Sequence, residues 1–156
     1  GNKMGDAEGV TGNNAGFVLE RTFEESYRNL NAQFAEDLVS HIPKEVRAKV
    51  FHSLRTALGL HSADYHVSEL CEDEGGMVDS PASLLSSCVS ILVKNLNLNF
   101  ARQLFEVCGY KTYDDDDNRG CDFTIYTNSY VRPDEVWRRF NMLIEAWKRI
   151  ESDDGV

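Results

Sequence analysis

Positive charge is missing from a long central part of the chain. No lysine or arginine occurs between Arg55 and Lys94, although six aspartates and glutamates lie in that stretch. The chain of 156 residues has 26 acidic and 16 basic residues, which gives a formal net charge of -10. Because nucleic-acid binding depends on clustered lysine and arginine that meet the phosphates, this deficit argues against direct nucleic-acid binding.

Long apolar runs are missing as well. The longest candidate, residues 84–93, is interrupted by three serines, whereas a helix needs about 20 mostly apolar residues to cross a bilayer. Residues 1–16 are rich in glycine and asparagine and lack the apolar segment of a secretory signal. We therefore expect a soluble chain without a membrane span.

The cysteines lack the close spacing of a metal site. No Cys-x-x-Cys pair occurs among the four cysteines, which are Cys71, Cys88, Cys108 and Cys121, so a structural zinc site is not predicted. Their even number permits two disulfides, but a chain of this length can bury a core without them. We expect all four to be reduced, which places the protein inside the cell, in the cytoplasm or the nucleus.

Motifs of known catalytic sites are also missing: the sequence contains no G-x-S-x-G, H-E-x-x-H or phosphate-binding loop. His41 and His52 are expected at the surface or at the core boundary. His61, His66 and Cys71 recur every five residues, so on a helix they point in different directions and cannot converge on a metal. The sequence predicts no catalytic residue, no cofactor and no metal ligand.

Apolar residues recur with helical spacing in the first half of the chain. A capping box at Thr22 opens one predicted helix that continues to Pro43, and its stripe consists of Phe23, Tyr27, Leu30, Phe34, Leu38 and Ile42. A second helix follows, with a stripe within residues 46–58 and Gly59 as its C-cap. A short helix within residues 62–71 and a solvated loop at residues 72–76 come next.

Three further elements are predicted in the second half. A helix begins at Pro81, and because more than half of its circumference is apolar we expect it to be central and buried. The alternation of asparagine and leucine in residues 95–99 predicts a break before a helix that ends at Gly109. The last helix opens at Pro133, and its stripe consists of Val136, Phe140, Leu143, Trp147 and Ile150.

Two short segments rich in aromatic and β-branched residues, 110–113 and 122–126, flank a hydrophilic stretch and predict a hairpin. The predicted fold is therefore mainly α, with a helix-rich α+β fold as the alternative. It is a compact bundle of five or six helices with at most one small β-hairpin near residues 110–126. Residues 17–151 form one domain, between a flexible tail at 1–16 and a flexible acidic terminus at 152–156.

The hydrophilic stretch of the hairpin supplies the candidate site. Its spacing does not fit a calcium-binding loop, because a loop starting at Asp115 would place Arg119 fifth and Tyr126 twelfth, where oxygen ligands are required. It leaves room for no more than a weak millimolar Ca²⁺ or Mg²⁺ site. The stretch is either a solvated turn or a contact for a protein with a basic surface. For the second interpretation the candidate partner-binding residues are Asp114, Asp115, Asp116, Asp117, Tyr126 and Tyr130.

Basic residues cluster on two of the predicted helices. Lys44, Arg47, Lys49 and Arg55 give the second helix a positive side, and Arg138, Arg139, Lys148 and Arg149 do the same for the last helix. Charged side chains are mostly exposed. Both clusters are therefore predicted to be solvated.

A non-enzymatic protein-binding or regulatory module, such as an adaptor or an inhibitor, is the favoured function. One alternative is an acidic inhibitor that mimics nucleic acid and blocks a nucleic-acid-binding protein, because eleven carboxylates lie in residues 64–79 and 114–122. The second alternative is a small enzyme whose site is assembled from residues remote in sequence. No membrane partner is expected, and the sequence does not determine the oligomeric state.

Overall fold

The computed structural model describes residues 23–61, 81–114, 123–126 and 131–154. Within them the chain is mainly helical, as predicted, with six α-helices and one antiparallel hairpin. The helices are α1 (Phe23–Arg28), α2 (Ala32–Ser40), α3 (Arg47–Leu60), α4 (Pro81–Asn95), α5 (Leu98–Val107) and α6 (Pro133–Asp154). The strands are β1 (Lys111–Asp114) and β2 (Phe123–Tyr126), and a 3-10 turn, Lys44–Val46, precedes α3.

The predicted first helix is divided into two. α1 ends at Arg28, and α2 begins after Asn31, whose side chain accepts a hydrogen bond of 2.9 Å from the Phe34 amide. This cap stabilises a new helix start and so overrides the continuous apolar spacing. The capping box at Thr22 lies outside the described residues, as do the short helix within 62–71 and the loop at 72–76.

α3 extends past the predicted end. Gly59 is inside the helix, and the C-cap is His61 with a φ of -104°. The prediction of Gly59 as a C-cap was therefore wrong. A Cβ placed on Gly59 would lie 3.9 Å from the Trp137 ring, so the residue packs against α6.

α4 is less buried than its composition predicts. It packs on α3, and its buried apolar residues are Val89 and Leu92, whereas Leu84 is 40% exposed. The prediction of a central buried helix was wrong because only one side of α4 faces the core.

The break before α5 and the end of that helix are as predicted. Asn97 caps α5 by accepting a hydrogen bond of 2.9 Å from the Phe100 amide. Gly109 follows the helix with a φ of +112°, and a Cβ there would approach Val131 to 2.7 Å. Both facts require glycine at this position, and the chain can then turn into β1.

The core joins residues that are distant in the chain. α2 packs on α6, and α1 packs on α5, where Gln103 donates a hydrogen bond to the buried hydroxyl of Ser26. α6 continues to Asp154, three residues beyond the predicted domain boundary at 151. The largest fully buried side chains include Phe100, Phe105, Phe140, Leu54, Leu58 and Leu143.

Candidate functional site: an anchored hairpin with an acidic connection

The predicted site residues lie at or beyond the ends of the hairpin strands. Asp114 is the last residue of β1 and is opposite Phe123, while Tyr126 is the last residue of β2 and is opposite Lys111. Asp115, Asp116, Asp117 and Tyr130 lie outside the described residues. Residues 115–122 connect the two strands, so the acidic stretch is the connection of an antiparallel hairpin.

β1 is held to α5 by a partly buried polar network. The Thr112 hydroxyl donates to Glu106 Oε2 at 2.5 Å and accepts from Arg102 Nε at 2.9 Å. Arg102 also donates to the Thr112 carbonyl at 3.4 Å. Burial raises the pKa of the Glu106 carboxyl, against the opposing effects of the Thr112 hydrogen bond and the Arg102 charge. The network fixes the register of β1 on the helix.

β2 is contacted by His61, the C-cap residue of α3. The ring of His61 hydrogen-bonds to the backbone of Ile125, and this bond favours the charged ring, as a bond to a carbonyl does. Ile125 is buried and lies directly opposite Thr112 in the hairpin. Arg102 of α5 and His61 at the C-cap of α3 therefore bind the hairpin at the same register position, Arg102 on β1 and His61 on β2.

Adjacent residues of β1 differ in exposure. Thr112 is buried, whereas the next residue, Tyr113, is 54% exposed. This alternation is that of a strand with one packed face. Tyr113 is thus an exposed aromatic side chain directly before Asp114, the first of the adjacent aspartates, and it was not among the predicted site residues.

Two arginines that were predicted to be solvated are buried. Arg47 is 7% exposed and donates from Nε to the Ile42 carbonyl at 2.9 Å. Arg139 is 8% exposed and donates to the carbonyls of Tyr27 at 2.5 Å and Val107 at 3.1 Å. The prediction of solvated basic faces was wrong at these two positions, because helix ends offer carbonyl groups that a guanidinium satisfies.

The three exposed basic residues of α6 are paired with carboxylates. Arg138 donates to both oxygens of Glu135, at 2.9 and 2.6 Å, and Arg149 pairs with Glu36 of α2. Lys148 lies 3.7 Å from Glu145. Carboxylates of the same chain, those of Glu36, Glu135 and Glu145, thus balance the positive charge of this helix.

The described residues contain no group of three or more potential metal-ligating side chains. Cys88 and Cys108 are free thiols, and burial raises the pKa of both, for Cys108 to about 12. A thiol with such a pKa is a poor nucleophile. His41 is partly exposed and His52 is exposed, as predicted.

A shallow surface pocket of about 190 Å³ lies between α2 and α6. Its lining consists of Ala32, Arg138, Asn141, Met142, Glu145 and Arg149. The only carboxylate in this lining belongs to Glu145, which pairs with Lys148. The pocket does not place an acid beside a base or a nucleophile, so it offers no catalytic arrangement.

Among the described residues, no helix combines the length and the apolar character needed to cross a bilayer. Comparison of the chain with protein-family models, with curated proteins and with solved structures finds no match.

Proposed function

We propose that this chain is a non-enzymatic protein-binding module of the cell interior, which regulates or links a partner by binding its basic surface through residues 114–122. The observation that carries the proposal is the anchoring of both hairpin strands, β1 and β2, which flank the connection at residues 115–122. Anchored ends limit the freedom of a connecting segment, and this reduces the entropy lost when a partner binds.

Charge supports the choice of a basic partner. Residues 114–122 contain five aspartates and one arginine, Arg119. Basic residues of α6 are paired with carboxylates of α2 and α6, so they are already balanced by charges outside this segment. A local excess of negative charge attracts a cationic surface and speeds association at low salt.

The non-enzymatic part of the proposal rests on the missing catalytic motifs and on the raised pKa of the two described thiols. The cellular location is supported by the same thiols, because Cys88 and Cys108 are free. Proteins of oxidising compartments use cysteine mainly in disulfides.

The proposal is tested by replacing Asp114, Asp115, Asp116 and Asp117 with asparagine. Binding of a short fluorescent oligolysine peptide is followed by fluorescence anisotropy over a range of salt concentrations. We expect the variant to bind on the order of tenfold more weakly at low salt and to depend less steeply on salt, because it has lost four negative charges from one place.

A second variant controls for total charge. It carries Glu45→Gln, Asp134→Asn, Glu145→Gln and Asp153→Asn, which are exposed positions outside the hairpin, and it has the same net charge as the first. It should bind nearly as well as the unaltered chain. Equal loss in both variants would show that the peptide responds only to net charge and would overturn the proposal.

Calorimetric titration with Ca²⁺ separates the protein-binding function from a metal site. We expect no saturable binding tighter than about millimolar, the weak end of calcium-binding modules. Micromolar binding that disappears in the asparagine variant would assign the connection to metal binding instead.

A further inference from the structure

His61 lies where α3, the end of α5 and the hairpin meet. It is the C-cap of α3 and is only 3% exposed. Its ring centroid is 5.1 Å from that of Tyr110, whose hydroxyl donates to the His61 carbonyl at 2.5 Å. Tyr110 therefore contacts both the ring and the backbone of His61.

The two ring nitrogens of His61 have different surroundings. Nε2 is buried and has no hydrogen-bond partner among the described residues. The nitrogen that donates to the Ile125 carbonyl is therefore Nδ1. This is the pattern of a neutral imidazole with its proton on Nδ1. A second proton on Nε2 would be a buried charged donor without an acceptor, which is costly.

We propose that His61 is a pH-dependent latch for the hairpin: the neutral ring holds β2 to the end of α3, and protonation releases it. Acidification would then loosen the strands that carry residues 114–122. The consequence for partner binding rests on the function proposed above, whereas the latch itself does not.

Within the part of the chain that the structure describes, the titratable groups next to His61 do not compensate a positive ring. Tyr110 is in contact with it, and Cys108 lies close to Tyr110. Burial is the main cause that raises the pKa of both groups, for Cys108 to about 12, so both are neutral when His61 titrates. Among the described residues no carboxylate forms an ion pair with His61.

Two effects favour the charged ring, but burial outweighs them. The C-terminal end of α3 attracts a cation by a modest amount, and the bond to Ile125 acts in the same direction. Desolvation is the larger effect, and the pKa of His61 lies below its ordinary value of 6.5. The latch is consequently closed at neutral pH.

The size of the effect follows from proton linkage. In the released state the ring has an ordinary pKa of about 6.5, so this state gains protons first as the pH falls. The closed state is fully favoured above that value and is weakened below it. Between about pH 7.5 and pH 5.5 the population of the released state should rise by up to about tenfold.

Hydrogen exchange of the β1 and β2 amides tests the latch. Protection factors, corrected for the intrinsic pH dependence of exchange, are measured at both pH values for three chains: the unaltered protein, His61→Asn and His52→Asn. Asparagine retains a donor at the position of Nδ1 but cannot be protonated. His52 is an exposed histidine of α3, the helix that His61 caps, and it serves as the control.

We expect hairpin protection to fall up to tenfold on acidification in the unaltered chain and in His52→Asn, and to stay constant in His61→Asn. Amides of α2 and α6 should show a smaller change, because the latch does not join them. The same fall in His61→Asn as in the unaltered chain would overturn the proposal.

The unaltered protein provides a second measurement if His61→Asn does not fold. Titration of the His61 ring by NMR should give a pKa below 6.5, and a pKa at or above 6.5 would overturn the latch. Oligolysine binding at the two pH values separates this proposal from the previous one. If hairpin protection falls on acidification but the peptide does not bind, only the proposed function is contradicted. If hairpin protection is independent of pH but the peptide binds, only the latch is contradicted.

Discussion

Arg138 and Arg139 are neighbours on α6 with opposite surroundings. Both donate to Glu135, but the side chain of Arg138 is 59% exposed and that of Arg139 is 9% exposed. The Arg139 guanidinium also lies 3.6 Å from the centroid of the Tyr27 ring. It therefore joins α1, α5 and α6 through one planar, forked group, a geometry that the compact ammonium of lysine lacks.

Replacement of Arg139 by methionine should lower the free energy of unfolding by about 2–4 kcal/mol. The substitution keeps much of the apolar stem but leaves the Tyr27 and Val107 carbonyls without their donor, and buried groups without partners are costly. Urea unfolding measures the change. Arg138→Met is the matched control, and we expect a loss below about 1 kcal/mol for an exposed pair. Equal losses would contradict the structural role of Arg139.

Glu135 should titrate far below an ordinary glutamate. Its pKa is lowered to about 2, chiefly by the hydrogen bond from Arg138 and further by Arg139, against a desolvation effect that raises it. The stabilising contribution is therefore present above the unfolded pKa of about 4.3 and is lost as the pH falls toward 2. NMR titration of the carboxyl carbon measures this pKa. In Arg138→Met it should be higher, and an unchanged value would show that Arg138 is not its main cause.

Asparagine determines where two of the helices begin. Asn31 and Asn97 cap α2 and α5 with the same bond, from the amide three residues later to the side-chain oxygen. The break before α5 could be predicted because period-2 alternation replaces helical spacing there. The break before α2 could not, since Leu30 and Phe34 continue the apolar stripe across it.

Asn97→Ala should lower the free energy of unfolding by about 1 kcal/mol, the usual effect of losing an N-cap. Asn99 is the control, because it is exposed in the first turn of α5. Asn99→Ala should be neutral or slightly stabilising, as alanine is the better helix former. Chemical denaturation of both variants makes the comparison. A larger loss for Asn99→Ala would contradict the assigned cap.

The helix boundaries that could be predicted from the sequence are those determined by residues at the boundary itself. The start of α6 at Pro133 and the end of α5 before Gly109 follow from properties of single residues, and both were predicted. The burial of Arg47 and Arg139 depends on carbonyls of other helices, and the sequence gives no direct sign of it. The one-sided packing of α4 has the same origin, because an apolar helix does not specify which of its faces meets a neighbour.

The candidate site was predictable to a similar extent. The two hairpin strands were predicted from β-branched and aromatic residues, and the structure pairs Thr112 with Ile125. Their attachment to Arg102 and His61 was not predicted, because residues far apart in the chain form it. Asp115, Asp116, Asp117 and Tyr130 lie outside the described residues, and binding by any of the six candidate residues stays a prediction.

At the scale of the whole molecule, the last helix closes on the first part of the fold. Arg149 pairs with Glu36 of α2, and the ring of Trp147 stacks on Phe51 of α3 at 4.9 Å between centroids. Phe51 also meets Phe140 edge to face at 6.3 Å. These contacts join residues from the two ends of the described fold. Contacts between residues far apart in the chain make the stability of one helix depend on that of another, and small single domains usually unfold cooperatively.

Trp147→Ala should therefore destabilise the whole fold. We expect a loss of about 2–4 kcal/mol, slightly below that for a fully buried tryptophan, because Trp147 is half-buried and also donates to Glu151. Thermal and urea unfolding followed by circular dichroism measure the loss.

Lys148→Ala is the control, since Lys148 is exposed and its pair with Glu145 spans 3.7 Å. This substitution should change the free energy of unfolding by less than about 0.5 kcal/mol. Near-native stability of Trp147→Ala would show that the second half of α6 contributes little to the fold, and the single cooperative unit would then end before residue 147.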